Sequence, residues 1–291
     1  MTAISSSSSA LGKVYLVGAG PGAADLITVR GAKLLEQADI VFHDALVDPA
    51  MLELCPQALK EPVGKRCGKL SSAQHFINKR LIDAAQKYQI IVRLKGGDPM
   101  IFGRADEEIQ SLKHAGIAVE VVPGITAALA GAASLQQSLT LRGVSRSVAF
   151  ITVAQGDESV SDDQGTSPLG PLSNPTADTL VYYMGRKDAK RIAMQLIKES
   201  PNHTGSTPVH ILESVSTARE RHWSSNLVEL ANGKADQWLD SSSPALILIG
   251  QALQEKDADT NILHQHSDSA SGKIDNRLQD RFIFTHSRRS A

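Results

Sequence analysis

Two glycine-rich turns are the segments of this chain whose residue types and spacing could support ligand chemistry. The first turn ends the segment Val14–Gly22 (VYLVGAGPG), and the second ends the segment Ile91–Pro99 (IVRLKGGDP). In each segment an apolar, strand-like run leads into a bend that glycine and proline tolerate easily. The absence of a side chain lets a ligand approach the backbone closely. Two such turns therefore suggest a nucleoside-type ligand, held by backbone groups at the ends of neighbouring strands.

The first turn by itself leaves the ligand open. Residues Gly18–Ala23 fit the pattern GxGxx(G/A), and Asp39 and Asp44 follow about twenty residues later, as in NAD- or FAD-binding βαβ units. A tight strand-to-helix turn without a ligand is the alternative. The second turn, continued through Lys95–Arg104, has no role in the dinucleotide fingerprint. There Asp98 could cap the next helix or accept hydrogen bonds from ribose hydroxyls or an amino group.

The elements that must position these turns alternate between strand and helix from residue 11 to about residue 124, which predicts a mostly parallel sheet covered by helices. A second α/β unit is predicted from residue 125. The expected organisation is a flexible N-terminus at 1–12, an N-terminal α/β domain at 13–124, a C-terminal α/β domain at 125–253 and a disordered tail at 254–291, with a long loop at 155–178. The predicted strands are Val14–Val17, Ile40–Phe42, Ile90–Leu94, Ile117–Val122, Ser147–Val153, Thr179–Tyr183, Pro208–Leu212 and Ala245–Ile249. The predicted helices are Ala24–Ala38, Ser71–Gln86, Glu107–Ala115, Thr126–Ser134, Lys187–Lys198 and Leu227–Leu230.

Composition narrows the classes of function. The chain has 291 residues with a net charge of -1 and 4% aromatic residues, which argues against nucleic-acid binding by a basic field or by base stacking. The chain has two cysteines, Cys55 and Cys67, which form neither a disulfide framework nor a CxxC pair, so we expect a reducing compartment. The Ser-rich start lacks the apolar run of a signal peptide, and no segment approaches the ~18 apolar residues of a membrane span. We therefore expect a soluble cytoplasmic protein, with a plastid or mitochondrial location left open, and neither a membrane nor a nucleic-acid partner. No metal-ligand spacing and no Ser-His-Asp arrangement is present in the sequence.

Around the two turns the chain resembles the uroporphyrinogen-III C-methyltransferases, S-adenosylmethionine-dependent enzymes of the tetrapyrrole methylase family. The resemblance covers about residues 13–252, in the family's order and spacing, and its most specific part is Arg93–Arg104. The matching strings are Val17–Gly22, Ala38–Val47, Val63–Arg66, Val92–Pro99, Ile101–Arg104, Val122–Ala127 and Tyr182–Met184.

This resemblance implies the two-domain tetrapyrrole methylase fold, with the active site in the cleft between the domains, and a homodimer. It implies two methyl transfers to uroporphyrinogen III, which give precorrin-2 for sirohaem or cobalamin synthesis, with S-adenosylhomocysteine as the by-product. Asp44 matches the family's proton acceptor and Lys65 its proton donor. The implied cofactor contacts are Pro21, Gly96, Gly97, Asp98, Ile101, Thr126, Ala127, Met184 and Val215; a small residue is usual at the last of these positions.

The substrate of such an enzyme carries many carboxylates, and arginine binds carboxylates through a planar fork of donors. Five arginines near predicted loop ends are therefore candidate substrate contacts: Arg66, Arg104, Arg142, Arg146 and Arg186. The chain departs from the family at Leu141, where the family often has histidine, and at Thr152–Gly156, where it often has Thr-Gly-His. Substrate contacts from those histidines are not expected here.

Several alternatives stay open. The first turn alone would suit an NAD- or FAD-dependent oxidoreductase, and the methylase fold also serves other precorrin methyltransferases and RNA methyltransferases. The net charge and the string Gly64–Arg66 count against RNA, and the presence of Asp44 and Lys65 counts against a non-catalytic tetrapyrrole sensor. Some bifunctional relatives carry a dehydrogenase and ferrochelatase domain before this one. About a dozen residues precede Lys13, so we expect those steps from another protein.

Overall fold

The computed structural model describes residues 11–45, 47–63, 70–153 and 175–254, and only the backbone of 70–73. Two five-stranded sheets and their helices make up this part of the chain. The strands are β1 Lys13–Gly18, β2 Ile40–His43, β3 Leu59–Pro62, β4 Ile90–Lys95, β5 Val119–Val122, β6 Val148–Thr152, β7 Thr179–Tyr183, β8 Pro208–Glu213, β9 Arg221–Asn226 and β10 Ala245–Gly250. The α-helices are α1 Val29–Gln37, α2 Leu70–Ala85, α3 Ala105–His114, α4 Ala127–Ser134, α5 Ala189–Glu199 and α6 Leu227–Ala231. Short 3-10 turns lie at Ala24–Leu26, Pro49–Leu54, Arg186–Asp188 and Gln251–Leu253.

The first sheet is entirely parallel, as the alternating pattern predicts, with the strand order β3-β2-β4-β1-β5. Its central strands β1 and β4 have the sequences KVYLVG and IIVRLK and are almost wholly buried, which is typical of strands covered by helices on both faces. Because β4 lies between β2 and β1, strands distant in sequence end side by side.

The second sheet is mixed, with the order β6-β7-β10-β8-β9. Strands β6 and β7 are parallel, whereas the pairs of β10 with β7, of β10 with β8 and of β8 with β9 are antiparallel. The segment between β8 and β9 is too short for a crossover connection, so these two strands can pair only as antiparallel neighbours. The parallel pattern of the first sheet therefore does not continue.

Apolar side chains fill both faces of each sheet. Helix α4 packs on the second sheet, where a Cβ added to Gly131 would lie 3.2 Å from Leu246 Cδ2. The change from one sheet to the other thus falls between β5 and α4, the place predicted for the domain boundary. The division into two domains itself stays a prediction, since the described residues belong to one compact unit that ends at Gln254.

Three local features differ from the sequence-based expectation. The helix predicted from Ala24 begins at Val29, because Thr28 has an extended backbone and its Oγ1 accepts a hydrogen bond from Gly31 N at 3.1 Å, which makes it an N-cap. Strands β3 and β9 were not predicted. Both are polar strands at sheet edges, and such strands lack the apolar alternation that marks buried ones.

Most of the loop predicted at 155–178 and of the tail predicted from 254 lies outside the described residues. Within the described part of the chain, no helix is both long and apolar enough to cross a bilayer.

Candidate active site

The candidate site lies at the carboxyl edge of the first sheet, where four neighbouring strands end. Asp44 follows β2, the second glycine turn follows β4, the first glycine turn follows β1, and Gly124 follows β5. In open parallel sheets this edge is where ligands bind. The strand order therefore brings together residues that are spread over more than a third of the chain.

The two glycine turns are joined directly by their backbones. Gly97 N donates to Gly20 O at 2.7 Å, and Gly20 N donates to Gly97 O at 3.2 Å. Ala19 N also donates to Lys95 O at 2.7 Å. Gly20 and Gly97 have φ values of 78° and 67°, which glycine adopts without strain. The expectation that the two turns converge is confirmed.

Close packing explains a third glycine at this edge. A Cβ on Gly124 would lie 2.2 Å from Gly97 O, and one on Gly18 would lie 2.5 Å from Gly124 Cα. Any side chain at Gly124 would therefore push the turns apart. Around Gly97, by contrast, the only atom of the described residues that an added Cβ would meet is Thr126 Cα, at 3.9 Å, so this part of the structure leaves space on that side of the turn.

Asp98 holds the second turn against the end of β5. Its Oδ1 accepts from Met100 N at 2.8 Å, and its Oδ2 accepts from Gly124 N at 2.9 Å. Each carboxylate oxygen can accept a further hydrogen bond, and the residue is only half-buried. Asp98 can therefore both shape the turn and accept a hydrogen bond from a ligand hydroxyl.

The second sheet reaches this site through Tyr183, at the end of β7. The hydroxyl of Tyr183 lies 2.7 Å from Thr126 Oγ1 and accepts a hydrogen bond from Ala128 N at 3.2 Å, and its ring packs edge-on against Phe102 with 5.1 Å between centroids. Burial raises the pKa of the Tyr183 phenol. Met184, which follows, leaves 55% of its surface exposed beside these residues.

A second contact comes from the segment after β8. Ser216 Oγ accepts from Ala23 N at 3.2 Å, and a Cβ on Gly22 would lie 2.8 Å from Val215 O. The side chain of Val215 is buried in the apolar cluster of the second sheet. Only the backbone of Val215 therefore faces the first glycine turn.

Strained backbone is concentrated around the same site. Of the six non-glycine residues with positive φ in the described part of the chain, five lie in segments that follow β4, β7 and β8: Phe102, Arg104, Met184, Ser214 and Ser216. Such conformations cost free energy and cluster at functional sites. Residue type gave no signal for these five positions, because none of them is glycine or asparagine.

Beneath the site, a chain of four charged side chains runs into the first half of the protein. Arg93 Nη2 lies 2.6 Å from Asp44 Oδ1, and Arg93 Nε lies 3.2 Å from Glu108 Oε1. Lys95 Nζ lies 3.1 Å from the same Glu108 oxygen. Burial, with the nearby Arg93 charge, lowers the pKa of Lys95. No role was predicted for Arg93, Lys95 or Glu108 from the sequence. Two charges that alternate inside the apolar strand IIVRLK are a signal that could have identified Arg93 and Lys95.

The predicted arginines are placed unequally. Arg104 donates to both carboxylate oxygens of Glu107, at 2.6 and 2.8 Å. Arg186 Nη1 donates to the carbonyl oxygens of Asp240 and Ser243, which ties it to that turn. The side chains of two others are exposed on the loop before β6: Arg142 and Arg146. Lys65 and Arg66 lie outside the described residues.

The chemistry of the edge fits a nucleoside. The open side of Gly97 gives access to backbone, Asp98 offers carboxylate oxygens to ribose hydroxyls, and exposed Met184 offers an apolar surface. Within the described ranges, no group of three or more His, Cys, Asp or Glu side chains could hold a metal ion.

Comparison with known proteins identifies what the chain is similar to. Residues 13–231 match the family of tetrapyrrole (corrin/porphyrin) methylases. A uroporphyrinogen-III C-methyltransferase of Pseudomonas aeruginosa is 40% identical over 244 residues, which are 84% of this chain and 95% of that protein. A siroheme synthase of Pseudomonas fluorescens is 41% identical over 244 residues, 84% of this chain and 50% of that protein. The chain thus spans about half the length of the siroheme synthases that it matches.

Solved structures agree with this similarity. A crystal structure of uroporphyrin-III C-methyl transferase from Thermus thermophilus, complexed with S-adenosylhomocysteine, has a TM-score of 0.68 and 36% identity to this chain. The similarity covers 83% of this chain and 99% of that one.

Proposed function

The chain belongs to the tetrapyrrole (corrin/porphyrin) methylase family, and from this premise we propose that it methylates carbon atoms of uroporphyrinogen III with S-adenosylmethionine as the methyl donor. Two successive transfers give precorrin-2. The observation that carries the proposal is the reciprocal backbone pairing of Gly20 with Gly97, which joins two glycine turns into one ligand-binding edge. The relatives named uroporphyrinogen-III C-methyltransferase support the choice of acceptor.

The proposed cofactor site follows the carboxyl edge of the first sheet and the two segments that reach it from the second. When bound, S-adenosylmethionine supplies an electrophilic methyl group, whose bond to sulfur breaks with its electron pair left on sulfur as the new carbon–carbon bond forms. The protein's part is to hold donor and acceptor in line, and such positioning can supply ~7–11 kcal/mol of the barrier. The residues proposed to hold the donor are Pro21, Gly96, Gly97, Asp98, Ile101, Thr126, Ala127, Met184 and the backbone of Val215.

Asp44 is the proposed proton acceptor. The acceptor carbon becomes nucleophilic as the macrocycle loses a proton, and a positioned base is typically worth ~10²–10⁴-fold in rate. Asp44 lies at the end of β2 beside the glycine turns, with 31% of its side chain exposed, so a substrate can reach it. Lys65 is proposed as the proton donor on the resemblance alone.

Arginines are proposed to bind the substrate's carboxylates. Arg104 is supported by its place in the strained segment after β4, where a substrate carboxylate could replace Glu107 as its partner. Arg142, Arg146 and Arg66 stay proposals of the same kind. The two carbonyl contacts of Arg186 favour a structural role for that residue.

The decisive experiment incubates the purified chain with uroporphyrinogen III and methyl-labelled S-adenosylmethionine. Label in the macrocycle, at two methyl groups per molecule, is the expected result. If uroporphyrinogen III takes up no label but a later precorrin offered in its place does, the proposed acceptor is wrong and the enzyme class stands. Bound nicotinamide or flavin in place of S-adenosylhomocysteine would revive the oxidoreductase alternative.

Three finer proposals complete this function. The enzyme works as a homodimer, which light scattering of the purified chain tests. It acts in the cytoplasm, and its product feeds sirohaem synthesis, cobalamin synthesis or both.

A further inference from the structure

The four-residue charge chain beneath the site has a single end that reaches the surface. Arg93, Glu108 and Lys95 expose 2%, 0% and 4% of their side chains, whereas Asp44 exposes 31%. Arg93 and Lys95 are two residues apart on β4 and so point to the same face of the sheet. This series of charges therefore runs from Asp44 through Arg93 to Glu108 and ends at Lys95, which directly precedes the second glycine turn.

Each charge in this chain is matched by another. Glu108 accepts from Arg93 Nε, from Lys95 Nζ and from Gln74 Nε2 at 3.2 Å, so its carboxylate is well satisfied. Arg93 also donates to Leu94 O at 3.1 Å. The two carboxylates and the two cations of this cluster together have a formal charge of zero. Buried charges are tolerated only when paired and hydrogen-bonded, and removal of one partner is strongly destabilising.

The arrangement depends on the shape of a guanidinium. Arg93 uses Nη2 for Asp44, Nε for Glu108 and Nη1 for a backbone carbonyl, so one rigid, planar group serves three acceptors. A lysine ammonium is a compact point charge on a flexible stem, and it cannot reach the two carboxylates from two edges.

We propose that Arg93 is a positioning residue that fixes the direction of the Asp44 carboxylate toward the substrate, and that Glu108 and Lys95 hold the Arg93 guanidinium in place. This inference rests on the proposed function, in which Asp44 accepts the proton. It assigns to the buried charges a role in turnover besides stability. Arg93 itself is too deeply buried to touch the substrate.

The test compares Asp44→Asn, Arg93→Lys, Arg93→Gln and the double variant Asp44→Asn with Arg93→Gln in the full chain. The double variant keeps the formal charge sum at zero, since Glu108 and Lys95 remain as a pair. Arg80→Lys is the matched control, because Arg80 also pairs with a carboxylate, Glu61 at 2.7 Å, and packs over the ring of Phe42 on β2. The measurements are kcat, KM for uroporphyrinogen III, the Kd of S-adenosylhomocysteine by calorimetry and the thermal midpoint.

We expect Arg93→Gln to lower kcat by about 10- to 100-fold, because a misplacement of about 1 Å at a catalytic group can cost about 100-fold. Arg93→Lys should recover part of this loss, and the control should stay within about twofold of wild type, as for other remote substitutions. The Kd of S-adenosylhomocysteine should also stay within about twofold in every variant. In the double variant, kcat should equal that of Asp44→Asn alone, because Arg93 acts only through Asp44.

Several results would overturn the inference. One is a wild-type kcat in Arg93→Gln, and another is a double variant whose loss of kcat equals the two single losses combined. A third is an affinity for S-adenosylhomocysteine that falls by the same factor as kcat in Arg93→Gln, which would mark a purely structural residue. If Arg93→Gln does not fold, Arg93→Lys and the charge-balanced double variant carry the same comparison. Absence of methyl transfer by the wild-type chain would instead overturn the proposed function, so the two failures are distinguishable.

Discussion

Asp98 Oδ2 accepts a hydrogen bond from Gly124 N at 2.9 Å, and this contact joins the turn after β4 to the end of β5. Strand β1 lies between those two strands, so the contact closes the edge over the first glycine turn. Asp98 thereby fixes the shape of the edge while its carboxylate remains half-exposed to a ligand.

The first prediction tests whether Asp98 belongs to the ligand site. Asp98→Ala should weaken binding of S-adenosylhomocysteine by about tenfold or more, because a charge-assisted acceptor and the turn's anchor are both lost. Asp48→Ala is the matched control, since Asp48 Oδ1 accepts from Ala50 N at 2.9 Å in the same local geometry. Calorimetric titration of both variants measures the effect. Equal affinities in the two variants would remove Asp98 from the ligand site.

The second prediction concerns the packing of Gly124. Gly124→Ala places a Cβ 2.2 Å from Gly97 O, a backbone atom that can yield only if the second turn moves. We expect an affinity for S-adenosylhomocysteine at least about tenfold weaker than that of wild type. Gly116→Ala serves as control. Gly116 has a φ of 71°, and a Cβ added there would meet no atom of the described residues within 4 Å beyond its own chain neighbours, so this substitution should cost stability of about 1 kcal/mol and no affinity.

How much of this site could be predicted depends on whether the signal is local. The glycine turns could be recognised because a bend, a missing side chain and a preceding apolar strand lie within nine residues of one another. The end of α3 was predicted at Ala115, one residue beyond the observed end at His114, and Gly116 just after it has the left-handed conformation that ends helices. Signals of this kind need no knowledge of the rest of the fold.

What could not be predicted depends on neighbours that the sequence does not reveal. Arg93 contacts Asp44 only because β4 is inserted next to β2. It contacts Glu108 only because α3 packs on the face of the first sheet that carries Ile91 and Arg93. Strand order is a property of the whole sheet, so nothing near Arg93 in the sequence indicates either partner. The φ of Met184, 56°, is likewise a conformation that its residue type does not favour.

The third prediction concerns the substrate's carboxylates. Arg104→Gln should raise KM for uroporphyrinogen III by about tenfold, the scale of one lost charge-assisted pair, while the KM for S-adenosylmethionine stays constant. Arg191→Gln is the matched control, because Arg191 pairs with Asp188 three residues before it, as Arg104 pairs with Glu107 three residues after it. Steady-state kinetics with each substrate varied in turn measures both constants. A parallel rise in both values of KM would assign Arg104 to the integrity of the turn.

The fourth prediction concerns alkaline pH and follows from the burial of Tyr182, which raises the pKa of its phenol from 10.0 to about 12. The folded state therefore holds this proton more tightly than the unfolded state does, so the stabilisation is present below pH 10 and is lost as the pH rises toward 12. Over that window the loss is of the order of 2 to 3 kcal/mol, at about 1.4 kcal/mol per pH unit. Tyr182→Phe should remove this part of the alkaline destabilisation. The titration of tyrosine ionisation, followed by absorbance near 295 nm, should then lack one late phase. Urea unfolding of both proteins from neutral pH to pH 12 measures the difference in the free energy of unfolding. Parallel curves for the two proteins over the whole range would show that Tyr182 ionises as freely in the folded protein as in the unfolded chain.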